Sequence, residues 1–245
     1  MAVAERAELP WWSKSRVLRQ RSLSAERIVE GALALIDRDG LERLSMRRLG
    51  TDLAVGATSI YWHVPNKEAL LDLIVDRLME ETAAELRVES GTTWRAQLAS
   101  YAQALRTVLE RHSAAAPLLG ARLPIGPNGL RVMERVLGIL DGAGFGGRQR
   151  ALAYGALTGY CVGQAVLQAR RSPTDPDEPT TTGDHLRRLG TLLQDAPRGR
   201  YPNVFAGAIE IAALTDAEQF EYGLQRMLDG LEGELKPVNP RRRLF

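Results

Sequence analysis

The chain has 245 residues and a mass of 27.0 kDa, enough for one or two domains, and its 44% apolar and 25% charged residues suit a soluble globular protein rather than a disordered one. Its 36 Leu and 31 Ala outnumber 14 Val and 8 Ile, which predicts an all-α fold. The single cysteine, Cys161, excludes an internal disulfide and predicts a reducing, cytoplasmic setting; a net charge of +2 leaves only the distribution of charge informative.

Residues 1–23 read as a flexible basic arm. Lys14, Arg16, Arg19 and Arg21 stand there with no acid between Leu9 and Ala25. Two readings stay open: an arm, over residues 13–21, that lies along nucleic-acid phosphates or in a minor groove, or a disordered solubilising tail. Glu5 and Glu8, with no apolar run beside them, do not suit a secretory signal. Ser24 then caps a helix whose Ile28, Ala32, Leu35 and Ile36 recur at helical spacing, and Asp39-Gly40 ends it. Ser45 caps a second helix over 46–53 with Leu49 and Leu53 inward. Ala54-Val55-Gly56 breaks that helix, and a third runs over 57–63 with Ile60 inward. Two short helices joined by a three-residue turn predict a helix-turn-helix. Asn66 caps a long helix carrying Leu70, Leu71, Ile74, Val75 and Leu78.

The rest also reads as helix. Segments are predicted over 94–111, around Leu118-Leu119, and over 129–140, 148–171, 184–194, 203–213 and 216–235. Residues 172–184, with three prolines and four acids, predict a loop. The last helix places Phe220, Leu224, Met227, Leu228, Leu231 and Leu235 on one face, a near-heptad pattern suited to packing against another helix.

Several motifs resolve to bland readings. Gly142-Ala-Gly-Phe-Gly-Gly147 matches G-x-G-x-x-G, but it follows a helix rather than a strand and reads as a turn. His63, His112 and His185 are dispersed, so no metal and no cofactor are expected. Cys161 reads as a small buried hydrophobe, and no nucleophile elbow or P-loop occurs. The uncharged run from Ala151 to Ala169 holds Gly155, Gly159 and Gly163 but also Thr158, Gln164 and Gln168. It predicts a helix buried in a bundle or dimer rather than a membrane span.

The segment from Leu44 to Lys67 carries chemistry. Ala57, Thr58 and Ser59 open the third helix; small side chains let it approach a major groove, and hydroxyls bond phosphates or base edges. Tyr61, Trp62 and His63 point in successive directions, so some face outward. One of Tyr61 and Trp62 is expected in the core and the other on DNA.

The stretch Ile60-Tyr-Trp-His-Val-Pro-Asn-Lys-Glu-Ala-Leu-Leu71 resembles the signature of the tetracycline-repressor (TetR) family, near the branch of tetracycline repressors proper. Thr93-Trp94, Leu119-Gly-Ala-Arg122, Gly144-Phe145 and Gly163-Gln-Ala-Val-Leu167 extend the likeness over about residues 24–235. The resemblance implies that Arg47 reads a base, that Ser59 and Tyr61 touch thymine methyls or phosphates, and that Trp62, His63 and Lys67 hold the backbone. Ala57 and Thr58 differ from the tetracycline repressors, so a different operator is expected. The turn also departs from the family pattern, which puts glycine where this chain has Ala54 and alanine where it has Gly50.

The positions that match the magnesium–drug site are Ala83, Tyr101, Leu105, Leu118 and Val136, with no histidine among them. Magnesium–tetracycline is therefore not the expected effector. The implied pocket, lined by Tyr101, Leu105, Leu118, Met133, Val136, Leu137 and Tyr154, is apolar and aromatic and suits a hydrophobic molecule.

The expected protein is a homodimeric regulator of transcription, not an enzyme. It has an arm (1–23), a helix-turn-helix domain (24–69), a ligand-binding and dimerisation domain (70–236) and a basic tail (237–245). The expectation is a repressor that binds a palindromic operator in double-stranded DNA, is released by a hydrophobic small molecule, and involves no membrane. An activator of the same fold, or a helical enzyme, is the alternative.

Overall fold

The computed structural model describes residues 23–87, 91–171, 190–191 and 198–235. These residues form helices and short turns, with no strand among them. The chain divides into two compact units that meet within one long helix, at Ala165 and Val166.

The first unit begins with α1 (Ala25–Asp39), a 3-10 turn (Leu41–Arg43), α2 (Met46–Asp52) and α3 (Ala57–Tyr61). The Ser24 and Ser45 hydroxyls each accept the amide three residues on, from Arg27 and Arg48, at 3.2 Å. Each such cap is worth about 1 kcal/mol, because it satisfies an N–H that the helix leaves open. Gly40 ends α1 at φ +87°, where glycine carries no steric cost. Ile28, Leu35, Ile36, Leu44, Leu49, Ile60 and Val64 are buried almost completely and form the core of this cluster.

The third helix is shorter than the predicted 57–63, and it changes one expectation. Tyr61 and Trp62 are both exposed, at 49% and 85%, so neither is a core residue. A helix of five residues has one inward position, and Ile60 fills it. The next two side chains are rotated by about 100° and 200° from it and leave the core. Leu53, expected inward, is half-buried at the end of α2.

The long helix α4 (Lys67–Glu85) starts at Asn66, whose side-chain oxygen accepts from the Ala69 amide at 2.7 Å. It packs against α1 on one side and against α5 (Trp94–Arg111) and α7 (Pro127–Gly142) on others. Leu70, Leu71, Ile74, Val75, Leu78 and Met79 are all buried, so α4 is apolar around much of its circumference. Between α5 and α7 lies α6 (Ala116–Ala121); α8 (Gly147–Arg171) follows α7.

No side chain of its own caps α7. Asp76 of α4 does so instead, accepting the amides of Asn128 and Gly129 at 2.9 and 3.0 Å and the Asn128 side-chain amide at 2.9 Å. A buried carboxylate at a helix N-terminus satisfies open donors and complements the helix dipole. Gly126 leaves the space, since a Cβ there would collide with Asp76.

In the second unit, α9 (Pro202–Ala213) precedes α10 (Asp216–Leu235). Thr215 and Glu218 form a capping box for α10: the hydroxyl accepts from the Glu218 amide at 3.2 Å and the carboxylate from the Thr215 amide at 2.9 Å. Phe220, Leu224 and Leu228, four residues apart, are buried. The predicted arm, the loop over 172–184, most of the helix over 184–194 and the basic tail lie outside the described residues.

Candidate functional site

Six of the expected DNA-facing residues are exposed, because α2 and α3 spend their apolar positions on the small core. Leu49 and Ile60 point inward; Arg47, Thr58, Ser59, Tyr61, Trp62 and His63 are exposed, and Ala57 is half-buried. The turn between the two helices is tight. Gly50 sits where a Cβ would stand 2.9 Å from the Val55 carbonyl oxygen, and Ala54 adopts φ +54°.

Charge sorts the arginines. Arg48 of α2 donates to Asp39 at 2.7 Å, and Arg38 bonds Asp39 and Asp52, which ties the end of α1 to α2. The neighbouring Arg47 guanidinium has no ion-pair partner among the described residues and stands in solvent. A cation held on a rigid helix and left unpaired is available to an incoming acceptor. Lys67 has a partner within the chain. Its Nζ donates to the Leu44 carbonyl at 2.8 Å, so it braces the start of α2 from the first residue of α4. Lys14, Arg16, Arg19 and Arg21 lie outside the described residues.

The expected effector residues come from four helices of the first unit. Tyr101 and Leu105 lie on α5, Leu118 on α6, Met133, Val136 and Leu137 on α7, and Tyr154 on α8. Tyr101, Leu105, Leu118 and Val136 are buried; Ala83, Met133, Leu137 and Tyr154 are half-buried. Sequence reasoning missed Thr158. Its hydroxyl lies 2.9 Å from the Tyr101 hydroxyl, and Tyr154 also bonds it. Burial raises both phenols above their ordinary range, so they are neutral hydrogen-bonding groups. Burial also pushes the Cys161 thiol up to about 12, which leaves it unreactive. Among the described residues no group of three or more His, Cys, Asp or Glu side chains is arranged to hold a metal, and no helix is long and apolar enough to cross a membrane.

Residues 28–74 match the model of the bacterial regulatory proteins of the tetR family, and residues 89–235 match that of the tetracyclin repressor-like C-terminal domain. The chain belongs to the TetR family. Among its relatives in that family, the transcriptional repressor DrrR1 of Streptomyces coeruleorubidus is 33% identical over 94% of this chain and 86% of its own. The tetracycline repressor protein class D of Escherichia coli is 26% identical over 87% and 91%. The TetR-family protein ActR of Streptomyces coelicolor, solved in complex with actinorhodin, has a TM-score of 0.76 and 31% identity over 88% of this chain and 99% of its own. These TetR relatives are named as regulators and repressors of transcription, not as enzymes. The family match gives the exposed helices their context: α2 and α3 are the helix-turn-helix of a DNA-binding regulator.

Proposed function

We propose that two copies of this chain form a repressor that grips a palindromic operator and lets go when a hydrophobic molecule binds near Tyr101. The observation that carries the reading is the surface of α2 and α3, where Arg47 has no ion-pair partner among the described residues and Tyr61 and Trp62 stand in solvent. Such a surface suits a major groove. Arg47 would pair with a guanine edge, Ser59 and Tyr61 would meet thymine methyls or phosphates, and Trp62 and His63 would hold the backbone. A twofold dimer requires half-sites about 34–36 Å apart, one turn of DNA, or a multiple of it.

The dimer would use α8 and α10. Leu152, Gly155, Gly159, Gly163 and Leu167 lie along one exposed face of α8, and nothing lies within 4 Å of a Cβ placed at any of the three glycines. That face would let a second helix approach closely.

The effector would be largely apolar with a polar edge, because Tyr101, Tyr154 and Thr158 offer neutral hydroxyls among Leu105, Leu118 and Val136. The complex of ActR with actinorhodin supports a small-molecule effector. These side chains include no histidine or carboxylate suited to magnesium, so a magnesium–tetracycline complex does not fit. Release would travel through α4, which Asp76 ties to α7 and Arg122 ties through Glu68 and Asp72 to the loop after α6. An effector that favours the released spacing over the gripping one shifts the balance by a coupling of about 1–3 kcal/mol.

Footprinting of the full chain on DNA upstream of its own coding region tests this. A protected inverted repeat, lost on adding a member of a panel of hydrophobic metabolites and antibiotics, is expected. Equal binding to the repeat and to scrambled duplex would overturn the reading.

A further inference from the structure

A charge cluster around the buried His112 joins the DNA-binding helices to the rest of the first unit. His112 follows the last residue of α5 and is 9% exposed. Its Nδ1 lies 2.7 Å from Asp37 Oδ2 on α1, and its Nε2 lies 3.1 Å from Glu81 Oε2 on α4. A carboxylate only accepts hydrogen bonds, and a neutral imidazole has one N–H to give. A carboxylate at each ring nitrogen therefore selects the doubly protonated ring.

Further charges surround the ring. Glu81 also receives Arg111 at 3.0 Å and Arg77 at 3.3 Å. Arg111 reaches Glu85 at 2.7 Å, Arg77 reaches Glu80 at 2.7 Å, and Glu30 of α1 acts on Arg77. The hydrogen bond to Asp37 raises the His112 pKa above its ordinary 6.5, although burial opposes it. Burial pushes Glu81 up, but its bonds from His112 and Arg111 outweigh that and hold it below its usual range.

We propose that His112, as an imidazolium, is a positioning residue for DNA recognition. It pins the end of α1 to α4 and α5. Asp39, two residues beyond Asp37, holds Arg48 and so sets α2, which also carries the exposed Arg47. The pin thus fixes the helix-turn-helix against the part of the chain that would sense an effector. This rests on the operator-binding reading above.

A raised pKa fixes the sign. The stabilisation is complete below the unfolded value near 6.5 and is lost as pH rises through the higher folded value. The experiment uses the full chain, its His112→Gln and Asp37→Asn variants, and the duplex that the full chain selects from a random library. The ring titration is followed by NMR, affinity is measured at pH 6 and pH 9, and α1 amide exchange is measured across the same range. The His112 ring should titrate above its ordinary value, and Asp37→Asn should lower that midpoint. Parent affinity should fall several-fold from pH 6 to pH 9, with the His112→Gln variant weak at both. A ring titrating at or below 6.5, or a variant profile parallel to the parent's, overturns the proposal. If no duplex is selected, the operator reading fails by itself. The pin then stands or falls on α1 exchange, which must quicken as the ring loses its proton.

Discussion

Arg47 and Arg48 are neighbours with opposite fates. Arg48 is tied to Asp39, which leaves Arg47 as the α2 cation available to a base edge. Arg47→Ala is expected to weaken operator binding by about 1–3 kcal/mol and to relax base preference at one position, measured by fluorescence anisotropy on single-base variants of the site. At the turn, Ala54 occupies the left-handed region, which costs a non-glycine residue about 1–2 kcal/mol. Ala54→Gly should recover part of that and raise the denaturant midpoint. Gly50→Ala should lower it, because the new Cβ meets the Val55 backbone carbonyl, which has little room to yield. Both residues depart from the usual family pattern. The structure gives the reason for Gly50, a close backbone approach; it gives none for Ala54.

At the level of elements, a single carboxylate on α4 caps the start of α7. Asp76→Ala removes three hydrogen bonds from a buried site and leaves two helix N-terminal amides open. A loss of about 1.5–3 kcal/mol is expected, read from chemical denaturation, and so is a blunted release of DNA by effector. Asp76 could not have been picked out from the sequence. Its partners are 52 and 53 residues away, and α7 opens on Gly126-Pro127 with no capping side chain of its own. On α8, Gly159→Leu would fill the exposed glycine face. It is expected to weaken the proposed dimer, and a normal dimer by analytical ultracentrifugation would refute that packing.

Across the full chain, residues 1–23 are a second basic segment, separate in sequence from the helix-turn-helix. Deleting residues 1–21 removes Lys14, Arg16, Arg19 and Arg21. If these touch phosphates, the slope of log affinity against log salt should flatten by about 0.9 for each phosphate they neutralise, while sequence preference remains. An unchanged slope would make the arm a bystander. The proposed release by effector would likewise be a property of the entire chain, since in that reading α4 carries the change between α7 and the start of α2, where Lys67 holds the Leu44 carbonyl.

Helix positions and family membership were legible in the order of residues alone. Caps at Ser24, Ser45 and Asn66 and apolar spacing in α1, α4 and α5 are local signals that a chain shows within a few residues. Which side chains are tied to which became visible only in the folded molecule. The Asp76 cap, the Thr158 hydroxyl beside Tyr101 and the two carboxylates on His112 all depend on residues brought together from distant segments. Periodicity reports which face of a helix is apolar; it carries no record of the partner that face will meet.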